Sequence, residues 1–226
     1  MEEFLEKISV LSKNFIKIEE NDSQYISLKN LYFNIKNKDF YLSLILANSI
    51  ICYQLSSTWE KYWEEFSIYF SNIEIKNIDE LIINIEIFIK QSKWNRRFID
   101  TKVKRLNKLK DFLKDFMKLE MYYYENMNIL CDDLAKNLNQ QITAKTIVFG
   151  VKMFWYGSRI KFNKIINFPF NIFIPIDSRL KKIYELYNKD ETIKIEEFYL
   201  TLSKKLNIPL LHLDAIIWVN YNKLIF

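Results

Sequence analysis

Apolar residues recur at steps of three and four along almost the whole chain, the spacing that keeps one face of an α-helix dry. Val103, Leu106, Leu109, Leu113 and Phe116 form one such series, and Phe198, Leu202 and Leu206 another. The pattern predicts helices near 2–18, 24–36, 38–54, 56–70, 77–91, 96–117, 119–137, 143–157, 178–188, 193–206 and 209–222. Strand-like alternation is confined to FNIFIPI, which lies between Pro169 and Pro175. Proline fixes its own φ and biases the residue before it away from helix, so this stretch reads as an extended connector. The expected fold is all-α. With no repeat of fixed period, a helical solenoid is disfavoured. A single domain over 1–226 is expected, and two subdomains with interleaved termini are compatible with the pattern.

Composition narrows the class. In 226 residues, half are hydrophobic and 16% aromatic, enough for a sizeable core, while 27% are charged, as in a water-soluble globular chain. No apolar run approaches a membrane span, and the opening MEEFLEKI is acidic rather than signal-like, so a cytoplasmic protein is expected. Cys52 and Cys131 have no partner spacing for zinc or an iron–sulfur cluster and are expected to be reduced and interior. His212, the lone histidine, sits among apolar residues, where a structural role is the default; His-rich metal sites and histidine catalysis are poorly supported. No metal or cofactor is expected. The net charge is +5, but residues 90–118 hold eleven lysines and arginines against three aspartates, a net +8. Such a stretch suits a polyanion such as DNA, and equally suits the solvated face of a helix in a lysine-rich chain.

Candidate chemistry gathers around two residues. Thr143 is a plausible N-cap for a helix reading KTIVFGVKM, on which Lys145, Phe149 and Lys152 share a face at i, i+4, i+7. A lysine attacks only when unprotonated, a state open to about one in 2,500 at pH 7 for an unperturbed amine. The positive end of a helix, the neighbouring cation Lys152 and partial burial would each raise that fraction. Taken alone, Lys145 also reads as a surface lysine of a first turn. Thirty-two residues later, Asp177 closes the proline-framed FPFNIFIPID and precedes SRLKKIYELY. Its direct structural role is to cap that helix, and a capping carboxylate is rigid and held ionised by its donors. In the last helix Asp214 and Trp218 are i, i+4 neighbours, while Gln24 and Trp63 lie in ENDSQYISL and KYWEEF. Each has an ordinary reading as a core or surface residue. As a set, they suit a purine extruded from a duplex, stacked on Phe149 and Trp218 and read by polar groups.

The segments KTIVFGVKM and FIPID, followed by LHLDAIIW, YWEEF and DSQY, resemble the archaeal GO glycosylase family (AGOG), a branch of the helix–hairpin–helix DNA glycosylases. The resemblance spans most of the chain, in the family's order and with its lysine–aspartate separation. It implies two helical lobes around a base-binding cleft and a monomeric DNA-repair enzyme that removes 8-oxoguanine and then nicks the strand. Lys145 would be the Schiff-base nucleophile and Asp177 its partner carboxylate. Phe149 and Trp218 would sandwich the flipped base, and Gln24, Trp63, Lys152 and Asp214 would line its pocket. Arg96 and Arg97 are candidate contacts to the DNA backbone. One departure is plain: LNQQITA before the lysine has none of the glycines by which the wider superfamily's hairpin offers N–H groups to a phosphate. Two other readings stay open, a glycosylase of different lesion preference and a non-catalytic helical module that binds nucleic acid through 90–118.

Overall fold

A computed structural model describes residues 2–56, 58–190 and 192–226. Every regular element among them is helical. The chain runs through α1 (Glu2–Ser12), α2 (Phe15–Glu19), α3 (Ser23–Asn34), a 3-10 turn at Lys38–Phe40, α4 (Tyr41–Ile51), α5 (Trp59–Ser71) and α6 (Ile78–Gln91). It continues through α7 (Ile99–Phe116), α8 (Glu120–Glu125), α9 (Met127–Leu138), α10 (Lys145–Phe162), α11 (Ser178–Tyr187), α12 (Ile195–Leu206) and α13 (Leu210–Ile225). The all-α expectation holds.

Three of the expected helices need correction. The helix expected over 2–18 breaks after Ser12, where Asn14 (φ −137°, ψ 42°) leaves helical geometry. That expected over 119–137 breaks at Asn126 (φ −131°, ψ 58°). The one expected to stop at 157 runs on to Phe162. Asparagine explains the breaks, since its side chain competes locally with the helical backbone while the apolar spacing continues past it. The helix expected over 56–70 starts at Trp59; Ser57 lies outside the described residues. Residues 167–177 carry no regular structure apart from a turn, as expected of a connector between prolines. Asn139, Asn163 and Asn207 end α9, α10 and α12 in the left-handed conformation (φ 49–52°). Asparagine fills there the place glycine usually takes.

The described chain forms two compact units. One, Ser23–Ile166, is organised around α4, whose eleven residues are all buried. A helix apolar on every side must be wrapped by others, and α10 crosses it most closely. The two glycines of the chain, Gly150 and Gly157, make that crossing possible. A Cβ on Gly157 would stand 2.6 Å from Ile45 Cδ1 and 2.8 Å from Leu42 Cδ2, and one on Gly150 3.0 Å from Ile50 Cδ1.

The other unit joins Asn167–Phe226 to the N-terminal segment through Asp22. Phe4 and Ile8 of α1 enter a core formed with Leu180, Ile183, Phe198, Leu202, Leu213 and Ile217. Phe4 stacks on Tyr187 at 4.9 Å between centroids. His212 is fully buried here, between the rings of Phe15 (4.5 Å) and Phe168 (4.8 Å). Its Nε2 accepts the Phe168 N–H at 3.1 Å, so the proton of the neutral ring lies on Nδ1, facing Glu19 Oε1 at 2.6 Å. The histidine is a structural tie.

Candidate active site

The candidate residues divide between the units. On Ser23–Ile166, α9 and α10 are joined by a six-residue turn, 139–144. Ala144, not Thr143, occupies the N-cap, and no side chain caps the helix. Thr146 Oγ1 instead donates to Gln140 Oε1 at 2.8 Å, tying the turn to the first helical residues. Lys145 is the first residue of α10 and is exposed; the partial burial expected of it is absent. Down the same face, Phe149 is half-buried and Lys152 buried, so the three step from solvent into the unit. Lys152 Nζ lies 5.9 Å from the Tyr156 ring centroid.

Phe149 meets two tryptophans of α5: Trp59, centroids 4.7 Å apart, and Trp63 at 6.4 Å. Trp63 is wholly buried, and its indole N–H is paired with the thiol of Cys52, a weak acceptor. Gln24, on α3, is also buried. Sequence reasoning missed Trp59. Its place one helical turn before Trp63 was the signal that could have found it.

On the other unit, Asp177 is the N-cap of α11, its Oδ1 accepting the Leu180 N–H at 2.9 Å. The expected cap is present and its N–H donors favour the ionised carboxylate as expected, but burial works against them. Burial raises the Asp177 carboxyl above the usual carboxylate range and outweighs the Leu180 N–H, while the neighbouring Asp214 charge raises it further and Arg179 opposes. Asp214 is itself buried on α13. Tyr199, which donates to Leu180 O at 2.6 Å, has its hydroxyl pushed far up, by burial first and then by these two aspartates. One helical turn beyond Asp214, half-exposed Trp218 has the Arg179 guanidinium 3.5 Å above its ring, and Tyr221 has it at 5.5 Å. This unit therefore brings Asp177, Asp214 and Trp218 together, with Arg179 among them. Arg179 was not foreseen; its position two residues after a rigid cap was the available signal.

The basic stretch is less uniform than its composition suggests. Lys90, Lys110, Lys114 and Lys118 pair with Glu86, Asp79, Asp111 and Asp115. Lys102 is fully buried. Arg96 and Arg97 are exposed, on the connection between α6 and α7. Both cysteines are buried free thiols, and no group of metal-ligating side chains occurs among the described residues. No helix among those residues is long and apolar enough to cross a membrane.

This helical fold is that of a solved DNA glycosylase. A crystal structure of an 8-oxoguanine DNA glycosylase from Pyrobaculum aerophilum, complexed with 8-oxoguanosine, matches 98% of this chain and 89% of its own at a TM-score of 0.81, with 22% identity. The chain belongs to the N-glycosylase/DNA lyase family AGOG, whose family model matches residues 3–224. An N-glycosylase/DNA lyase from Methanococcus maripaludis is 40% identical over 96% of this chain and 85% of its own length. Another, from Thermococcus kodakarensis, is 39% identical over 88% and 75%.

Proposed function

We propose that this chain is a bifunctional DNA-repair enzyme that excises 8-oxoguanine through a Schiff base on Lys145 and then nicks the strand by β-elimination. The observation that carries the reading is the placement of Lys145, an exposed amine on the first turn of α10 in a chain of the N-glycosylase/DNA lyase family. In this reading the neutral Nζ attacks the sugar's C1′. The bond from C1′ to the base breaks, its electron pair leaves with the base, and the amine's proton is passed on to solvent or to the departing base. The C1′–O4′ bond then breaks as the nitrogen lone pair forms C1′=N⁺, and O4′ takes the electron pair and a proton. The resulting ring-opened iminium makes the C2′ proton acidic. Loss of that proton expels the 3′-phosphate and breaks the strand. Asp177 steadies the positive charge that grows on the sugar. Capping of α11 fixes the carboxylate for this work, while burial, against the cap, reduces its ordinary acidity.

Phe149 and Trp218 supply stacking faces for the base, and the Arg179 guanidinium keeps one side of Trp218 covered. Trp63 supports a pocket role through its place against Phe149. Gln24, Lys152 and Asp214 complete the polar reading. The α9–turn–α10 segment acts as the hairpin against the DNA backbone, through backbone groups of 139–144 rather than glycines. The chain works as a monomer, on DNA in the cytoplasm.

Borohydride reduction tests the reading directly. Wild type is expected to give a covalent adduct with an 8-oxoguanine duplex, and Lys145→Gln none, with excision down by at least about three orders of magnitude. An adduct persisting in Lys145→Gln would remove the nucleophile assignment. Wild type that binds the duplex without any adduct, across a panel of lesions, would favour a binding module.

A further inference from the structure

Outside the helix-ending asparagines, two of the described residues hold the left-handed backbone: Gln54 (φ 51°), just after α4, and Phe98 (φ 57°), just before α7. That conformation crowds any side chain with a β-carbon, and an aromatic has no local hydrogen bond to offset it. Phe98 gains little from burial either, being 60% exposed. A strained residue whose apolar ring stands in solvent is held there by its surroundings.

Those surroundings are built for the purpose. Asn95 is fully buried and its Nδ2 donates to Tyr62 Oη at 3.1 Å, which in turn donates to Asn48 Oδ1 at 2.5 Å. From the other side Lys102 Nζ donates to Asn95 Oδ1 and lies 4.7 Å from the Tyr53 ring centroid. Glu65 accepts from Ser92 Oγ and from the Lys93 N–H (2.9 Å), beneath the same connection. The Ser56 N–H donates to Trp94 O at 2.8 Å, fastening the connection after α4 to the one before α7. Trp59, at the end of the first connection, packs on Phe149 of the helix that begins with Lys145. What is left facing outward is Phe98 with Lys93, Arg96, Arg97 and Gln54, all exposed. Next to them, the first turn of α7 carries an acid, Asp100.

We propose that this edge is a wedge for duplex DNA: Phe98 enters the base stack beside the nucleotide being extruded, and Arg96 and Arg97 hold the flanking phosphates. Cations outside an aromatic ring fit a polyanion whose interior is a stack of π-faces. Phe98 is thus a positioning residue, and its part in excision rests on the glycosylase reading above.

Phe98→Gly tests it, because glycine adopts the left-handed backbone without strain, so the variant is expected to melt no lower than wild type. In a duplex with 2-aminopurine beside 8-oxoguanine, wild type should raise the probe's fluorescence and the variant should not. Duplex excision should fall roughly ten- to hundredfold, the cost of losing a wedge worth a few kcal/mol of unstacking. Nicking of a preformed abasic site in single-stranded DNA, which needs no unstacking, should stay within about twofold, and Phe98→Trp should restore duplex excision. Wild-type fluorescence and duplex excision in Phe98→Gly would overturn the wedge, as would equal loss on duplex and single strand. Wild type that forms no borohydride adduct overturns the glycosylase reading alone. The fluorescence of the two proteins then still decides whether Phe98 opens the stack.

Discussion

The candidate residues of the two units are positioned by different physics. Lys145 rides on α10, and α10 is placed by apolar close packing, with glycines where α4 passes and no side-chain cap at its start. Asp177 is placed by polar forces: a cap hydrogen bond, burial, and the neighbouring Asp214 charge. Lys145 stands in solvent on a rigid support, while Asp177 is held in a setting that penalises its charge. The first arrangement costs the protein little at the site itself. The second stores an electrostatic cost at the functional group, which is where strain tends to gather in enzymes.

The sharpest test of this contrast is Asp177→Asn. Asparagine caps a helix as well as aspartate does, so the fold should survive. Excision should fall by about two to three orders of magnitude with DNA binding kept. The sign of the stability change follows from the raised carboxyl pKa. The folded state binds the proton more tightly than the unfolded chain, so ionised Asp177 works against folding at neutral pH. That cost disappears as pH falls through the raised value. Thermal melts should therefore show the variant at least as stable as wild type at pH 7, with the gap closing toward pH 4. In wild type, the acid limb of the excision profile should lie above the ordinary aspartate range. A variant less stable at pH 7, or one with unchanged excision, would reduce Asp177 to a cap.

On the other half, Gly157→Val should act through packing alone. It should cost about 1–3 kcal/mol in denaturant melts. Gly150→Ala, where the nearest atom is the end of the Ile50 side chain, should cost less. If both substitutions were neutral, close packing would not be what places α10. The smallest effect expected is at the DNA backbone. Neutralising Arg96 and Arg97 together should reduce the salt slope of binding by up to about two, one for each phosphate left without its arginine. An unchanged slope would confine these charges to solvation.

Much of this was legible in the chain. Helical periodicity gave the all-α class and most helix positions, since buried faces must recur every three or four residues whatever the tertiary packing. It failed at Asn14 and Asn126, where a polar residue breaks the backbone but not the apolar rhythm. Asp177 could be placed because a cap and a proline frame are local features. Arg179 over Trp218 could not, because residues 39 apart in sequence meet only in the fold. The burial that raises Asp177 was hidden for the same reason: the sequence showed the donors that favour the carboxylate's charge but not the desolvation that opposes them. The glycines could have been read more fully. In a chain with two, both inside one helix, where glycine is costly, close helix contact is the natural explanation.

The joining of α1 to the C-terminal helices has a consequence for how the molecule is made. Ser23–Ile166 is a continuous run and can fold as it is synthesised, but Phe4 and Ile8 have no core to enter until α13 follows. At about 5–20 residues per second, that wait is on the order of 10–40 s. The half bearing the amine is thus finished first and the half bearing the acid last, so a newborn chain has Lys145 in place well before Asp177.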